Sequence, residues 1–357
     1  MTTTTLFSPL KVGSVQLTNR ILLAPLTRCR NGSTHTPDDL VKDYYVQRAS
    51  AGLIFTECTM ILPKTSAFTG EPGLYNAGQI AAWKSVTDAV HANGGKIFCQ
   101  IWHAGRAAHP AMNDGEEPVS ASAIAIEGDV NTPKGKVPHA VPRALRTDEI
   151  PSIIQAFATA AKVAVGKAGF DGVEIHGANG FLVDQFLRSS ANTRTDGYGG
   201  SLHNRTRFLR ELLAAVTLAI GADKVGLRVS PLNSYNSMRD DDPQAWSEAV
   251  AKVCQEFNLA YVHVVRADKF RVQTGDVVPV FRQHFKNAVI ANMGYTKDEA
   301  NAAIAAGEID AVAFGTSFLA NPDLPARFAK NAALNTPDLA TFYGGGAKGY
   351  TDYPALA

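Results

Sequence analysis

Eight times along this chain a short apolar run gives way to a longer stretch whose apolar residues recur at helical spacing, and few folds accommodate that recurrence. The first half contains "RILLAP" before "PDDLVKDYYVQRAS", "LIFTEC" before "AAWKSVTDAVHAN", and "KIFCQIW" before "IPSIIQAFATAAKVAVGKAG". The second half adds "GVEIHG" before "NRTRFLRELLAAVTLAIG" and "VGLRVSP" before "PQAWSEAVAKVCQEF". It closes with "AYVHVV" before "VVPVFRQHF", "AVIANM" before "TKDEANAAIAAG", and "AVAFG" before "DLPARFAKNAA". Strands that are apolar throughout, rather than alternately, belong to parallel sheets covered on both faces. Eight such units in 357 residues fit one closed (β/α)8 TIM barrel, with a doubly wound open sheet as the alternative. An N-terminal β-hairpin is expected to precede the first strand, and residues 1–357 read as a single domain because no linker or repeat interrupts them. The loop after the third strand, about 103–146, is long enough to carry a small excursion of its own.

Charge and cysteine usage narrow the function classes. Thirty-four basic against thirty-three acidic residues leave a formal charge of +1, so no strong field favours nucleic acid or an anionic membrane. No stretch approaches eighteen consecutive apolar residues, and the N-terminus has no basic, then apolar, leader pattern. Cys29, Cys58, Cys99 and Cys254 form no C-x-x-C pair, which argues against a disulfide framework or zinc site. His103 and His109 have no carboxylate or third ligand at metal spacing, so no metal is expected. A small-molecule partner and a cytoplasmic location follow as expectations.

In a barrel the residues at the C-terminal strand ends line the active face. These are Ala24, Pro25, Leu26 and Thr27 after the first strand, Cys58 near the second, and Gln100, Ile101 and Trp102 on the third. His176 with Asn179 ends the fourth, Arg228 the fifth, and Gly315 with Thr316 the eighth. A carboxamide, a hydroxyl and a guanidinium together suit the edge of a heterocycle that becomes anionic, such as a reduced flavin.

Six segments, in order, carry a more specific signal: "NRILLAPLTRCR", "QIWHAGR", "HGANGFLVDQFLRSSANTRTDGYGGSLHNRTRFL", "VGLRVSP", "NPDLPAR" and "TFYGGGAKGYTDYP". With them the chain resembles the old yellow enzyme family of FMN-dependent ene-reductases over nearly its whole length. The resemblance implies FMN at the barrel mouth, reduced by NADPH or NADH, with hydride passing through flavin N5 to the β carbon of an α,β-unsaturated carbonyl compound. It implies cofactor contacts from Pro25, Leu26, Thr27, Cys58, Gln100 and Arg228. A carbonyl clamp of His176 and Asn179 follows from it, as do pocket walls from Trp102, Phe68, Phe181 and Tyr343. The i, i+3 spacing of the clamp requires a turn after Ile175, which Gly177 and Gly180 permit. Relatives occur as monomers and as homodimers.

Three positions depart from the family pattern. Phe181 stands where a proton-donating tyrosine is usual, and Phe68 replaces another tyrosine. Either another group or water supplies the proton, or the substrates are quinones, nitro compounds, hydroperoxides or prostaglandin endoperoxides. Thr316 stands where an arginine usually holds the FMN phosphate, so backbone amides of Gly294, Gly315 and Thr316, with the Thr316 hydroxyl, are expected to hold it more weakly. From other classes, a flavin-binding module without turnover, or a sugar-phosphate barrel without flavin, remains an alternative. "GGGAKG" at 344–349 fits G-x-G-x-x-G formally, but no strand precedes it and no βαβ unit can follow, so it is not expected to bind a dinucleotide.

Overall fold

The computed structural model describes residues 4–356. Eight parallel strands close on one another: β1 Ile21–Leu23, β2 Ile54–Phe55, β3 Ile97–Trp102, β4 Gly172–Gly177, β5 Val225–Val229, β6 Tyr261–Val265, β7 Ala288–Asn292 and β8 Ala311–Phe314. The closing pair is β8 on β1, with Val312 opposite Ile21. The main helices are α1 Asp39–Val46, α2 Ala77–Ala92, α3 Ile150–Gly166, α4 Arg207–Ile220, α5 Pro243–Glu256, α6 Val278–His284, α7 Lys297–Ala305 and α8 Leu324–Lys330. The expected TIM barrel is the observed fold, and each helical stretch read from periodicity overlaps one of these helices.

Side chains at the helix starts explain where several begin. Asp38, Asn76, Asp242 and Thr296 each accept a backbone N–H from the first turn of α1, α2, α5 and α7. Each thereby satisfies a donor that the helix cannot pair internally. The Asn76 cap moves the start of α2 to Ala77, four residues before the apolar pattern suggests.

Alternation along each strand divides the core in two. Ile21, Leu23, Ile54, Ile97, Ile101, Val173, Ile175, Val262 and Val264 face the helices in one continuous buried cluster. The opposite faces fill the barrel interior, where Leu22, Phe55, Phe98, Tyr261, Ile290, Ala311 and Ala313 pack at the lower end. Gly226 makes room there: a Cβ would stand 2.0 Å from the Tyr261 ring. The N-terminal hairpin, Leu10–Val12 paired antiparallel with Val15–Leu17, adds Val12, Val15 and Leu17 to this cluster and covers the bottom of the barrel.

The long segment after β3 has strands of its own. Val119–Ser120 pairs with Arg143–Ala144, and Asp129–Thr132 forms a hairpin with Gly135–Pro138 over the mouth side of the barrel.

Candidate active site

Apolar filling stops halfway up the barrel, and the next inward residues are polar. Strand register sets Glu174 beside Gln100, His176 beside Arg228, Arg228 beside His263, and Asn292 beside Ala313. Gln100 donates Nε2–H to Glu174 Oε1 over 2.8 Å, and Glu174 Oε2 lies 2.9 Å from His263 Nδ1. Arg228 donates to Asn292 Oδ1 over 3.0 Å, while Asn292 Nδ2 donates to the Ala313 carbonyl. Burial lowers the pKa of His263, and it also lowers that of Arg228, where Glu174 opposes it. A buried carboxylate under a buried guanidinium keeps the floor of the mouth charged without a net buried ion. Glu174, His263 and Asn292 were not among the sequence candidates; their signal was a polar residue at an inward position of an otherwise apolar strand.

His176 and Asn179 meet through a turn placed differently from the expected one. The strand runs straight through Gly177, whose role is close approach: a Cβ there would stand 2.9 Å from Leu227 Cδ1 and 3.0 Å from the Arg228 carbonyl. Asn179 itself, at φ 57°, and Gly180, at φ 75°, take the left-handed conformation that reverses the chain. His176 Nδ1 accepts the Ala178 N–H over 3.3 Å, so the neutral ring carries its proton on Nε2. Burial, then the charges of Arg228 and His263, hold that imidazole well below its ordinary pKa.

Asn179 is fixed on every side. Its N–H donates to Ser230 Oγ, its carbonyl accepts from Asn236 Nδ2, and its Oδ1 accepts from Asn233 Nδ2 over 2.7 Å. With Oδ1 occupied, the Asn179 amide presents its two N–H groups. Replacing Asn233 by alanine frees that amide to rotate, and an activity loss of roughly three- to tenfold is expected with little change in melting temperature, as for one neutral hydrogen bond. An unchanged kcat/KM would show that Asn233 does not set the orientation.

The mouth opens into a cavity of about 230 Å³ lined by Pro25, Leu26, Thr27, Arg28, Phe68, Gln100, His176, Asn179, Phe181, Arg228, Tyr235, Thr316, Leu319, Phe342 and Tyr343. Eleven of these fifteen are sequence candidates for the site. A second space of about 490 Å³ shares Phe68, Phe181, Tyr235 and Tyr343, and continues under the hairpin residues Val130 and Asn131 and under His139. Phe68 stacks on Tyr343 with ring centres 6.4 Å apart and planes 3° from parallel. Trp102 lies one layer back, fully buried, with its ring edge-on to Phe181 at 4.5 Å and 6.1 Å from His176. It lines neither space; it supports the walls that do. Cys58 likewise sits behind Thr27, with Sγ 3.3 Å from Thr27 Oγ1, and burial pushes its thiol pKa well up.

At the rim, Gly315 precedes the short helix Thr316–Ala320, and Gly294 follows β7 at φ 74°. A Cβ on Gly315 would meet only Leu26 Cδ2, at 3.5 Å, and one on Gly294 only Arg266 Nη2, at 3.8 Å. Both glycines therefore border open space, and Thr316, next to Gly315, lines the smaller cavity. The "GGGAKG" loop is tied down through its carbonyls: Arg30 donates to Gly346 and Lys348, and Arg28 to Gly349. Among the described residues no three His, Cys, Asp or Glu side chains group as metal ligands, and no helix is long and apolar enough to cross a membrane.

The donor set tests the fit to a flavin. Gln100 Oε1 has no protein donor among the described residues, Thr27 offers a hydroxyl and Arg228 a cation on the same cavity. Acceptor, hydroxyl and cation side by side match a ring edge where an imide N–H lies between carbonyls. Residues 5–335 match the NADH:flavin oxidoreductase / NADH oxidase family. The chain belongs to that family. It is 46% identical to a probable flavin mononucleotide-dependent alkene reductase of Leishmania infantum, across 98% of this chain and 97% of that one. The old yellow enzyme from Trypanosoma cruzi superposes with a TM-score of 0.96 at 41% identity, covering 99% of each chain. Morphinone reductase in complex with tetrahydroNAD superposes at 0.94 with 43% identity, covering 99% of this chain and 98% of that one. This old yellow enzyme homologue is an FMN-dependent oxidoreductase, with a nicotinamide as its reductant.

Proposed function

We propose that the chain reduces the carbon–carbon double bond of α,β-unsaturated carbonyl compounds. The observation that carries this is the pair of aimed donors, His176 Nε2–H and the Asn179 amide, on the same cavity as Gln100, Thr27 and Arg228. Pro25, Leu26, Thr27, Gln100 and Arg228 would hold the ring of FMN, Cys58 would back it, and Gly294, Gly315 and Thr316 would border its phosphate. FMN, when bound, supplies a two-electron carrier between NADPH or NADH and the alkene. His176 and Asn179 hold the substrate oxygen and stabilise the negative charge that gathers there as the β carbon is reduced. Arg228 places a fixed positive charge beside the cofactor's ring edge, and Phe68, Phe181 and Tyr343, with Trp102 behind them, keep water from the alkene.

Phe181 has no proton to give, so the α carbon takes its proton from water at the open mouth or from the hydroxyls of Tyr235 and Tyr343, which line the same cavity. Phe181→Tyr is expected to raise enone turnover several-fold where protonation limits the rate. Single-turnover data showing slow alkene reduction, unchanged in the variant, would sink that idea. A second reading, reduction of quinones, is favoured by the two phenylalanines at 68 and 181, because a quinone needs no proton on carbon. Residues 1–357 are taken as one unit, monomer or homodimer, and a cytoplasmic location is supported by four free thiols, three of them buried.

Anaerobic stopped-flow mixing of the FMN-loaded protein tests the reading. NADH or NADPH should bleach the flavin absorbance, and 2-cyclohexenone should restore it. Recovery with quinone alone supports the second reading. FMN that binds but never bleaches would leave a flavin-binding module.

A further inference from the structure

Thr316 is an exposed, uncharged residue at the rim where the family pattern carries an arginine, yet a guanidinium does reach this rim from another strand. β6, β7 and β8 are adjacent, with Val265 opposite Asn292 and Asn292 opposite Ala313, so the segments following them emerge side by side. Arg266 leaves the end of β6 and its backbone N–H still bonds to the Asn292 carbonyl. Its side chain crosses to the β7 segment, where Nε–H donates to the Met293 carbonyl over 2.8 Å. Nη1 pairs with Glu299 Oε1, and the guanidinium lies 3.6 Å from the centre of the Tyr295 ring.

Three contacts thus fix the fork, and the remaining nitrogen is the one that faces the glycine. Nη2 stands 3.8 Å from the point a Gly294 Cβ would occupy. Gly294 and Thr316 are both exposed, so the space in front of Nη2 is open. The loops after the seventh and eighth strands are where barrels of this type bind phosphate. A guanidinium already held by a carbonyl, a carboxylate and a ring loses little rotamer freedom when it takes a phosphate oxygen.

Resting on the flavin reading above, we propose that Arg266 supplies, from β6, the positive charge that Thr316 does not, and that Nη2 binds the terminal phosphate of FMN in this chain. Gly294 is then required because any side chain there would stand between the guanidinium and the phosphate. Cofactor retention is accordingly that of a protein with a cationic phosphate site, not the weakened one that Thr316 alone implies.

Binding of FMN and of riboflavin, which lacks the phosphate, to the apoprotein separates the two readings by quenching of flavin fluorescence. In the unmodified protein FMN should bind more tightly than riboflavin, with a preference that shrinks as salt is raised. Arg266→Gln should weaken FMN on the order of tenfold or more, as expected for loss of a charge-assisted contact, and leave riboflavin unchanged; Arg266→Lys should recover part of the loss. Glu299→Gln, which breaks the same ion pair but leaves the cation, should bind FMN at least as well as the parent. Wild-type FMN affinity in Arg266→Gln, or equal losses for FMN and riboflavin, would overturn the proposal while leaving the flavin reading intact. If the parent protein binds neither flavin, both fall together.

Discussion

His176→Ala is expected to lower kcat/KM for an enone by roughly 10²- to 10³-fold, the usual cost of removing one donor from an oxyanion site. Nε2–H is available because Nδ1 is committed to the Ala178 N–H, and the alanine variant loses that donor together with the ring that Trp102 and Phe181 pack against. Asn179→Ala should cost a similar factor. The double variant should lose less than the product of the two, because both donors serve one oxygen. A multiplicative double variant would mean that they act on different groups. In the proposed role the imidazole is a neutral donor, since burial, then the charges of Arg228 and His263, hold its pKa well below the ordinary 6.5. Above that ordinary value the rate should show no break that His176→Asn removes. The linkage has one sign: a histidine kept neutral by the fold contributes stability that is fully present above 6.5 and lost as pH falls through its lower folded pKa. A rate that instead rises on acidification, with a break abolished in His176→Asn, would require an imidazolium.

The barrel was legible because its signal is repeated eight times, and no local ambiguity can undo an alternation of that length. The inward polar layer was half legible. Gln100, His176 and Arg228 end their strands and could be placed by position alone, whereas Glu174 and His263 lie inside apolar runs, where one charged residue reads as an interruption until register shows them bonded to each other. The turn after β4 was located by its glycines, of which Gly180 takes part in it, yet Asn179 shares the reversal, held at positive φ by three hydrogen bonds to the loop after β5. Nothing within four residues of Asn179 announces partners at 230, 233 and 236. Trp102 was read as a wall from the family resemblance; it is fully buried in a cluster with Cys58, Met60, Ala67 and Ala104. Arg266 lay outside the candidate set because its importance depends on Gly294 and Thr316, which only the pairing of three strands brings together.

Arg28→Met is expected to destabilise the protein by roughly 3–5 kcal/mol and to loosen the C-terminal strap beside the active site. Arg28 is 1% exposed and donates Nε–H to the Phe342 carbonyl over 2.9 Å, and Nη2–H to those of Gly349 and Thr341 over 2.8 and 3.3 Å. Its guanidinium also lies 5.0 Å from the Tyr350 ring, which stacks on Tyr44. Methionine fills the volume and keeps the apolar contacts, but leaves three carbonyls facing a thioether. Those carbonyls belong to the segment that carries Phe342 and Tyr343 into the cavity, so the strap and the substrate wall share one anchor. Arg30 holds the same segment through Thr341, Gly346 and Lys348, and so the variant should fold with its strap loosened rather than lost. The expected result is a lower melting temperature, new protease cleavage between about residues 341 and 349, and a KM for bulky enones that rises more than kcat falls. A variant that keeps its protease resistance and its KM would show that Arg30 and the Tyr44–Tyr350 stack suffice to seat the strap.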